Sequence, residues 1–344
     1  MLDGRIGICV VGPGFWAREM HLPAFATIPG VEVVCIVGRT EDAARGLAKQ
    51  FGIKNWSTDY REAFKSDEVD VVDILAPNYL HAPIAIAAAE AGKHVICIKP
   101  LATSLEGADR MIKAIDAAGT RLFYAENVPF IPAVQEAKRI VDSGAIGRVF
   151  RVKACEGIAV PHSAWHYDKS LAGGGAMIDM AVHSIEFCRA FAKAEFSSVF
   201  AETGTFVWRG KLEAEDTAVL TLRFANDVIG QCEDSWSLTG AMDSRFEVFG
   251  TAGRILIDNL YRQPIQVVSE AEKSPVARGW SFPSPLPGAV TDGHVAMLTH
   301  FIEALRNDTP SECDARVGWN ALAVIEAAAA SIETGRKCAV KTRA

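Results

Sequence analysis

An apolar run at residues 6–11 ends in Gly12-Pro13-Gly14-Phe15-Trp16-Ala17, and a helical pattern opens directly after it. A strand that ends in Gly-x-Gly and passes at once into a helix is the first unit of a parallel α/β sheet. Gly12 permits the tight turn, and Gly14 lets a pyrophosphate approach the backbone. Ala17 is small enough for close helix–strand packing, and the helix N-terminus faces the phosphates. The turn therefore predicts a dinucleotide site built on Gly12, Pro13, Gly14, Phe15 and Trp16.

Further apolar runs at 31–37, 69–75, 95–98 and 121–125 alternate with helical patterns at 43–51, 84–91 and 105–118. Near-continuous apolar strands separated by helices describe a parallel sheet covered on both faces. The right-handed crossover makes it doubly wound. After residue 125 the pattern changes: helices are expected at 133–143, 179–191, 294–307 and 317–334, and a strand at 147–154. Residues 197–257 read as longer strands with period-two patterning, among them 217–224 and 245–249. Consecutive strands without intervening helices predict an antiparallel sheet. A proline-rich loop is expected at 274–288. The 344 residues suit two domains, an α/β domain at 1–125 and an α+β domain at 126–344 with a large open, mostly antiparallel sheet. A sheet face without helical cover suits a second copy of the chain, so a homodimer or homotetramer through the C-terminal sheet is expected.

Composition narrows the chemistry. The net charge is −7, with no run of five basic residues, which argues against nucleic acid or an anionic membrane as partner. The eight cysteines are dispersed without a Cys-x-x-Cys pair, and no histidine stands at metal-ligand spacing to them. They read as buried apolar residues of a reducing compartment, and no metal is expected. No run of eighteen apolar residues exists. The first strand starts too early to leave room for a leader, and a cytoplasmic location is expected.

The second strand decides between the two dinucleotides. An acidic residue about 20 positions after the glycines binds a ribose 2′-hydroxyl. Here the strand ends Val37-Gly38-Arg39-Thr40. The guanidinium and hydroxyl suit a 2′-phosphate, so NADP is expected at Arg39 and Thr40. NAD is the alternative, with Glu41 on the 2′-hydroxyl.

Three residues are candidates for the acid–base chemistry. Lys99 closes the fourth strand, where open α/β sheets bind ligands, and its ammonium suits a developing alkoxide. Asp179 and His183 are four apart on an expected helix, and so share a face. They follow Gly173-Gly174-Gly175, a run that lets backbone approach closely. Histidine accepts protons near neutrality, and a carboxylate beside it supports its charged form. The alternatives are a solvated lysine and a surface helix pair. The Lys99–Pro100 bond is expected to be cis, since cis bonds are nearly confined to proline and occur at constrained sites.

These segments resemble the glucose-fructose oxidoreductase / inositol dehydrogenase (Gfo/Idh/MocA) family along essentially the whole chain. The carrying segments are Val10-Val11-Gly12-Pro13-Gly14, the run 73–81 (Asp-Ile-Leu-Ala-Pro-Asn-Tyr-Leu-His) and Lys99-Pro100-Leu101-Ala102. Gly174-Gly175 with Asp179 and His183, and the run 246–253, complete the resemblance. It implies a Rossmann domain, a second domain with a large sheet used in oligomer contacts, and activity on sugars or polyols. It further implies that His183 takes the hydroxyl proton, Lys99 holds the oxygen and Asp179 assists. Ala76, Pro77, Asn78, His81 and Pro100 would then line the cofactor. The chain departs from the family at Ile98, where a glutamate usually precedes Lys-Pro. It also lacks the arginine that commonly follows Glu126-Asn127.

The stretch 161–169 supplies groups that bind sugars, with Trp165, His166 and Tyr167 at its centre. Aromatic faces stack on C–H surfaces while polar groups take hydroxyls. Tyr124 and Glu126, at the carboxyl end of the fifth strand, are further candidates for substrate contact. The expected activity is hydride transfer between a nicotinamide and a secondary hydroxyl of a sugar, glycoside or cyclic polyol. Two alternatives remain at this point: a glycoside-processing enzyme whose retained NAD oxidises transiently before elimination, and a non-catalytic dinucleotide sensor.

Overall fold

The computed structural model describes residues 5–260, 264–271, 279–281 and 293–343. It divides into two compact units, residues 1–126 with 294–319, and residues 127–293 with 320–344.

The first unit holds β1 (Ile6–Val11), β2 (Val31–Val37), β3 (Asn55–Ser57), β4 (Val71–Ile74), β5 (His94–Ile98) and β6 (Leu122–Ala125). They form one parallel sheet in the order β3-β2-β1-β4-β5-β6. Every residue of β1 and β4 is buried, which is why these strands read as unbroken apolar runs. Strand order reverses between β1 and β4, and that switch point is where such sheets bind ligands. The three residues of β3, Asn-Trp-Ser, are too few and too polar to announce a strand.

Caps set the helix limits. Ser104 accepts the Gly107 N–H, and the helix Leu105–Ala118 starts where expected. Thr40 accepts the Ala43 N–H at 3.4 Å, so the helix Glu41–Phe51 begins two residues ahead of its apolar pattern. Residues 294–319 pack on β6 from far along the chain. Phe301 stacks on Phe123 at 5.1 Å, and the Tyr124 N–H donates to the Cys313 carbonyl at 3.0 Å.

The second unit carries β7 (Val149–Gly157), β8 (Phe196–Gly204), β9 (Thr217–Phe224), β10 (Ile229–Ser235) and β11 (Asp243–Gly250). β12 (Gly253–Asp258), β13 (Ile265–Ser269), β14 (Gly279–Ser281) and β15 (Cys338–Ala339) complete it. The order is β14-β13-β12-β11-β7-β10-β9-β8-β15, and among the described residues only β7 and β10 pair in parallel. Buried and more exposed residues alternate along β9 and β10, so one face of the sheet makes the core. The helix Ala181–Ala192 covers that face, with Phe187 stacked on Phe246 of β11 at 4.3 Å.

The expected single helix at 179–191 is two. Ala176–Asp179 and Ala181–Ala192 are separated by Met180, at φ −100° and ψ −41°. The first piece is held at its start by Glu215. The Glu215 Oε1 accepts the N–H groups of Gly175 and Met177, and its carbonyl accepts that of Ala176. A Cβ on Gly175 would collide with that carbonyl, so only glycine fits there. Of the expected loop at 274–288, residues 279–281 form β14, and the rest lies outside the described residues.

Candidate active site

Gly12 leaves β1 at φ +110°, a conformation that favours glycine, and turns hard against the end of β4. A Cβ there would sit 2.5 Å from the Leu75 carbonyl carbon and 2.7 Å from the Ala76 nitrogen. Gly14 is the opposite case: a Cβ would meet nothing within 4 Å. The backbone is thus packed tightly from below and open above, which fits a pyrophosphate over the turn. The N–H of Arg18 donates to the Gly14 carbonyl as the chain enters a π-type turn, Ala17–His21. Phe15 is exposed and meets Trp16 edge-on at 5.4 Å; Trp16 stacks on His294 at 5.8 Å.

Sequence reasoning missed what anchors this turn from beneath. His21 Nδ1 lies 2.9 Å from Asp73 Oδ2 of β4, and both side chains are wholly buried. The pair ties the segment after the turn to the neighbouring strand. The available signal was a histidine nine residues past Gly12 facing an acid inside an apolar strand.

At the end of β2, Arg39 is exposed. A Cβ on Gly38 would stand 2.8 Å from Pro13 Cγ, which places this strand end against the glycine turn. The Thr40 hydroxyl serves as the helix cap, and Glu41 pairs with Arg45 at 3.4 Å.

Lys99 is buried at the end of β5, and the Lys99–Pro100 bond is cis. His81, also fully buried, joins two loops: Nδ1 is 2.8 Å from the Pro100 carbonyl and Nε2 is 2.8 Å from the Ala76 carbonyl. Burial lowers its pKa, backbone hydrogen bonds at Ala76, Pro100 and Leu101 only partly oppose it, and the Lys99 charge adds a smaller lowering. His81 therefore fixes the loop Ala76-Pro77 to that of Pro100, with Asn78 buried in the turn between. Tyr124 and Glu126 are fully buried, and Tyr124 packs beside Gly318, whose Cβ would stand 3.0 Å from its ring.

In the second unit the structure gathers residues around Asp179, which is buried. Trp236, one residue past β10, donates its Nε1–H to Asp179 Oδ2 at 2.9 Å. His166 Nε2 stands 3.8 Å from Asp179 Oδ1, and its Nδ1 is 3.2 Å from the Ser163 carbonyl. Because a carbonyl only accepts, Nδ1 carries the proton and Nε2 faces the carboxylate. Trp165 stacks on His166 at 3.7 Å, and Tyr167 meets Trp208 edge-on at 5.8 Å. Trp208 in turn donates Nε1–H to the Trp236 carbonyl at 2.8 Å. His183 is half-buried in the first turn of the helix Ala181–Ala192, its N–H donating to the Met180 carbonyl at 3.1 Å. The predicted Trp165, His166 and Tyr167 thus join Asp179 in one aromatic cluster. Trp208, Trp236 and Glu215, which complete it, carry no local signature that would single them out.

Residues 6–126 match the family model described as an oxidoreductase family with an NAD-binding Rossmann fold. Residues 134–256 match that of the GFO/IDH/MocA C-terminal domain. The chain is 32% identical over 306 residues to levoglucosan dehydrogenase of Pseudarthrobacter phenanthrenivorans, covering 78% of each chain. It is 30% identical over 336 residues to myo-inositol 2-dehydrogenase of Thermotoga maritima, covering 96% of this chain and 97% of that one. A solved structure of levoglucosan dehydrogenase in complex with NADH and levoglucosan is similar with a TM-score of 0.88 at 28% identity, covering 98% of this chain and 100% of that one.

Proposed function

The chain belongs to the Gfo/Idh/MocA oxidoreductase family, and on that premise we propose that it oxidises a secondary hydroxyl of a sugar, glycoside or cyclic polyol. It is an NAD(P)-dependent dehydrogenase of the sugar and polyol class. The observation that carries the reading is the glycine turn: jammed against Leu75 and Ala76 on one side, open over Gly14 on the other.

Gly12, Pro13 and Gly14 hold the pyrophosphate, and the loops fixed by His81 bear Ala76, Pro77, Asn78 and Pro100 toward the cofactor. When bound, the nicotinamide accepts hydride from the substrate carbon. Lys99 hydrogen-bonds the reacting oxygen and stabilises its negative charge as the hydride leaves. His183 accepts the hydroxyl proton, leaving a ketone. The Asp179 carboxylate supports the imidazolium electrostatically. Trp165, His166 and Tyr167 supply a stacking surface and polar contacts for a ring-shaped substrate.

Arg39 favours NADP over NAD. Its exposure beyond β2, and the engagement of Glu41 with Arg45, support this choice. For assembly, the outer face of the second-unit sheet offers Phe200 and Val219, both exposed, to a second copy in a homodimer or homotetramer.

The test supplies NADP⁺ and NAD⁺ separately to the pure protein. The panel comprises monosaccharides, inositols, sugar acids and glycosides, and the readout is absorbance of reduced nicotinamide. The expected result is reduction of free cofactor with at least one panel member. Silence across the panel, with dinucleotide released only on denaturation, would turn the assignment to a glycoside enzyme that retains its cofactor.

A further inference from the structure

Asp179 and His183 are four residues apart, yet the helix that should fix their spacing breaks at Met180. Strand β10 takes over that task. Asp234 lies on its buried face, and Trp236 follows two residues on. Trp236 Nε1–H donates to Asp179 Oδ2 at 2.9 Å, and Ser184 Oγ–H donates to Asp234 Oδ1 at 2.7 Å. The end of β10 and the residue just past it thus grip the carboxylate of the pair and the residue beside its imidazole.

We propose that Trp236 and Asp234 are positioning residues for the Asp179–His183 pair, Trp236 acting on the carboxylate and Asp234 on the helical turn that bears His183. This rests on the reading of Asp179 and His183 as the groups that handle the substrate proton.

Trp236 is itself fixed. Its N–H donates to the Asp216 carbonyl at 2.7 Å, its carbonyl accepts from Trp208, and its ring meets His166 edge-on at 5.7 Å. An indole N–H donates and never accepts, and it donates more strongly to a carboxylate than to a neutral carboxyl, which favours the ionised form. His166 lies 3.8 Å from the Asp179 carboxylate, and Glu215 caps the same short helix. Glu233 and Asp234 precede Trp236 on β10, and His183 and Glu186 lie on the following helix. Burial holds the Asp234 carboxyl well above the ordinary carboxylate range. A neutral acid or amide still accepts from Ser184.

The experiment compares Trp236→Phe, Asp234→Leu, Asp234→Asn and His183→Ala in the full chain, on a panel sugar that the wild type oxidises. Trp236→Phe is expected to lower kcat about tenfold and to move the acid limb of kcat/KM up by about one pH unit, the worth of one charge-assisted hydrogen bond. Dinucleotide affinity should stay within about twofold, since a positioning role acts on the proton-transfer step. Asp234→Leu should also lower kcat, and Asp234→Asn should restore it. Independently of turnover, the Trp236 indole N–H proton resonance should shift in Asp179→Asn, which tests the contact even where Trp236→Phe fails to fold. Lost turnover in His183→Ala beside a Trp236→Phe enzyme with wild-type kcat and pH profile overturns this proposal alone. So does an indole resonance blind to Asp179→Asn. Full turnover in His183→Ala overturns the proton-handling reading and this proposal with it.

Discussion

The indole of Trp236 holds the carboxylate of Asp179 across 2.9 Å, joining residues 57 positions apart in the chain. The spacing of Asp179 and His183 first reads as a helix-face pair, yet the helix is interrupted between them. The carboxylate is instead fixed by a buried donor beyond the end of a strand. Five expectations follow from this and the neighbouring geometry.

His183→Ala should lower kcat by roughly 10² or more, as loss of a general base does. Dinucleotide affinity, read by fluorescence titration, should be unchanged. A variant with wild-type turnover would remove His183 from the mechanism.

Arg39→Ala should raise the KM for NADP(H) about tenfold, the worth of one charge-assisted phosphate contact. The KM for NAD(H) should barely move. Equal effects on both cofactors in steady-state kinetics would discard the 2′-phosphate role.

His81→Ala cuts the link between the Ala76 and Pro100 carbonyls. The neutral imidazole has a single N–H for these two carbonyls, so its loss leaves one buried acceptor unsatisfied, which should cost about 1–3 kcal/mol and weaken dinucleotide binding severalfold. Because the folded imidazole is held below its ordinary 6.5, the unfolded chain takes up the proton first as pH falls. The stability His81 contributes is present above that value and is lost on acidification. The melting midpoint of the variant should therefore fall less steeply than that of the wild type between about pH 7 and 5.

Asp234→Asn tests the opposite sign. Burial holds this carboxyl protonated where the unfolded chain is ionised. Its stabilisation is present below the unfolded value of 3.8 and is lost as pH rises through the folded one. The amide has no such loss and keeps the acceptor for Ser184. The melting midpoint of the variant minus that of the wild type should rise as pH increases from the unfolded value of 3.8 toward the raised folded one. A flat difference would show that Asp234 ionises normally in the folded protein.

Gly175→Ala should destabilise the protein by about 2–4 kcal/mol, because the new methyl group meets backbone and neither side can yield cheaply. Thermal unfolding checks this, with a lowered midpoint expected.

The first half of this fold was legible because its information is local. β1 reads as an unbroken apolar run because both faces are covered, and the helix Leu105–Ala118 starts where Ser104 caps it. The glycine turn is equally local: Gly12 and Gly14 show in the sequence what the backbone must do there. Candidate chemistry was legible by residue type, in Lys99, Asp179, His183 and the stretch around Trp165 and His166.

Tertiary structure alone decided how those groups are held. His21 under the glycine turn, His81 between two loops, and Glu215 and Trp236 around Asp179 all act through partners set by strand order and register. Residues 294–319 joined the first unit for the same reason, packing on β6 from far along the chain. Periodicity and capping record what a residue needs from neighbours within a few positions. A buried carboxylate needs a donor at about 3 Å from whichever element arrives there, and only the folded sheet brings one.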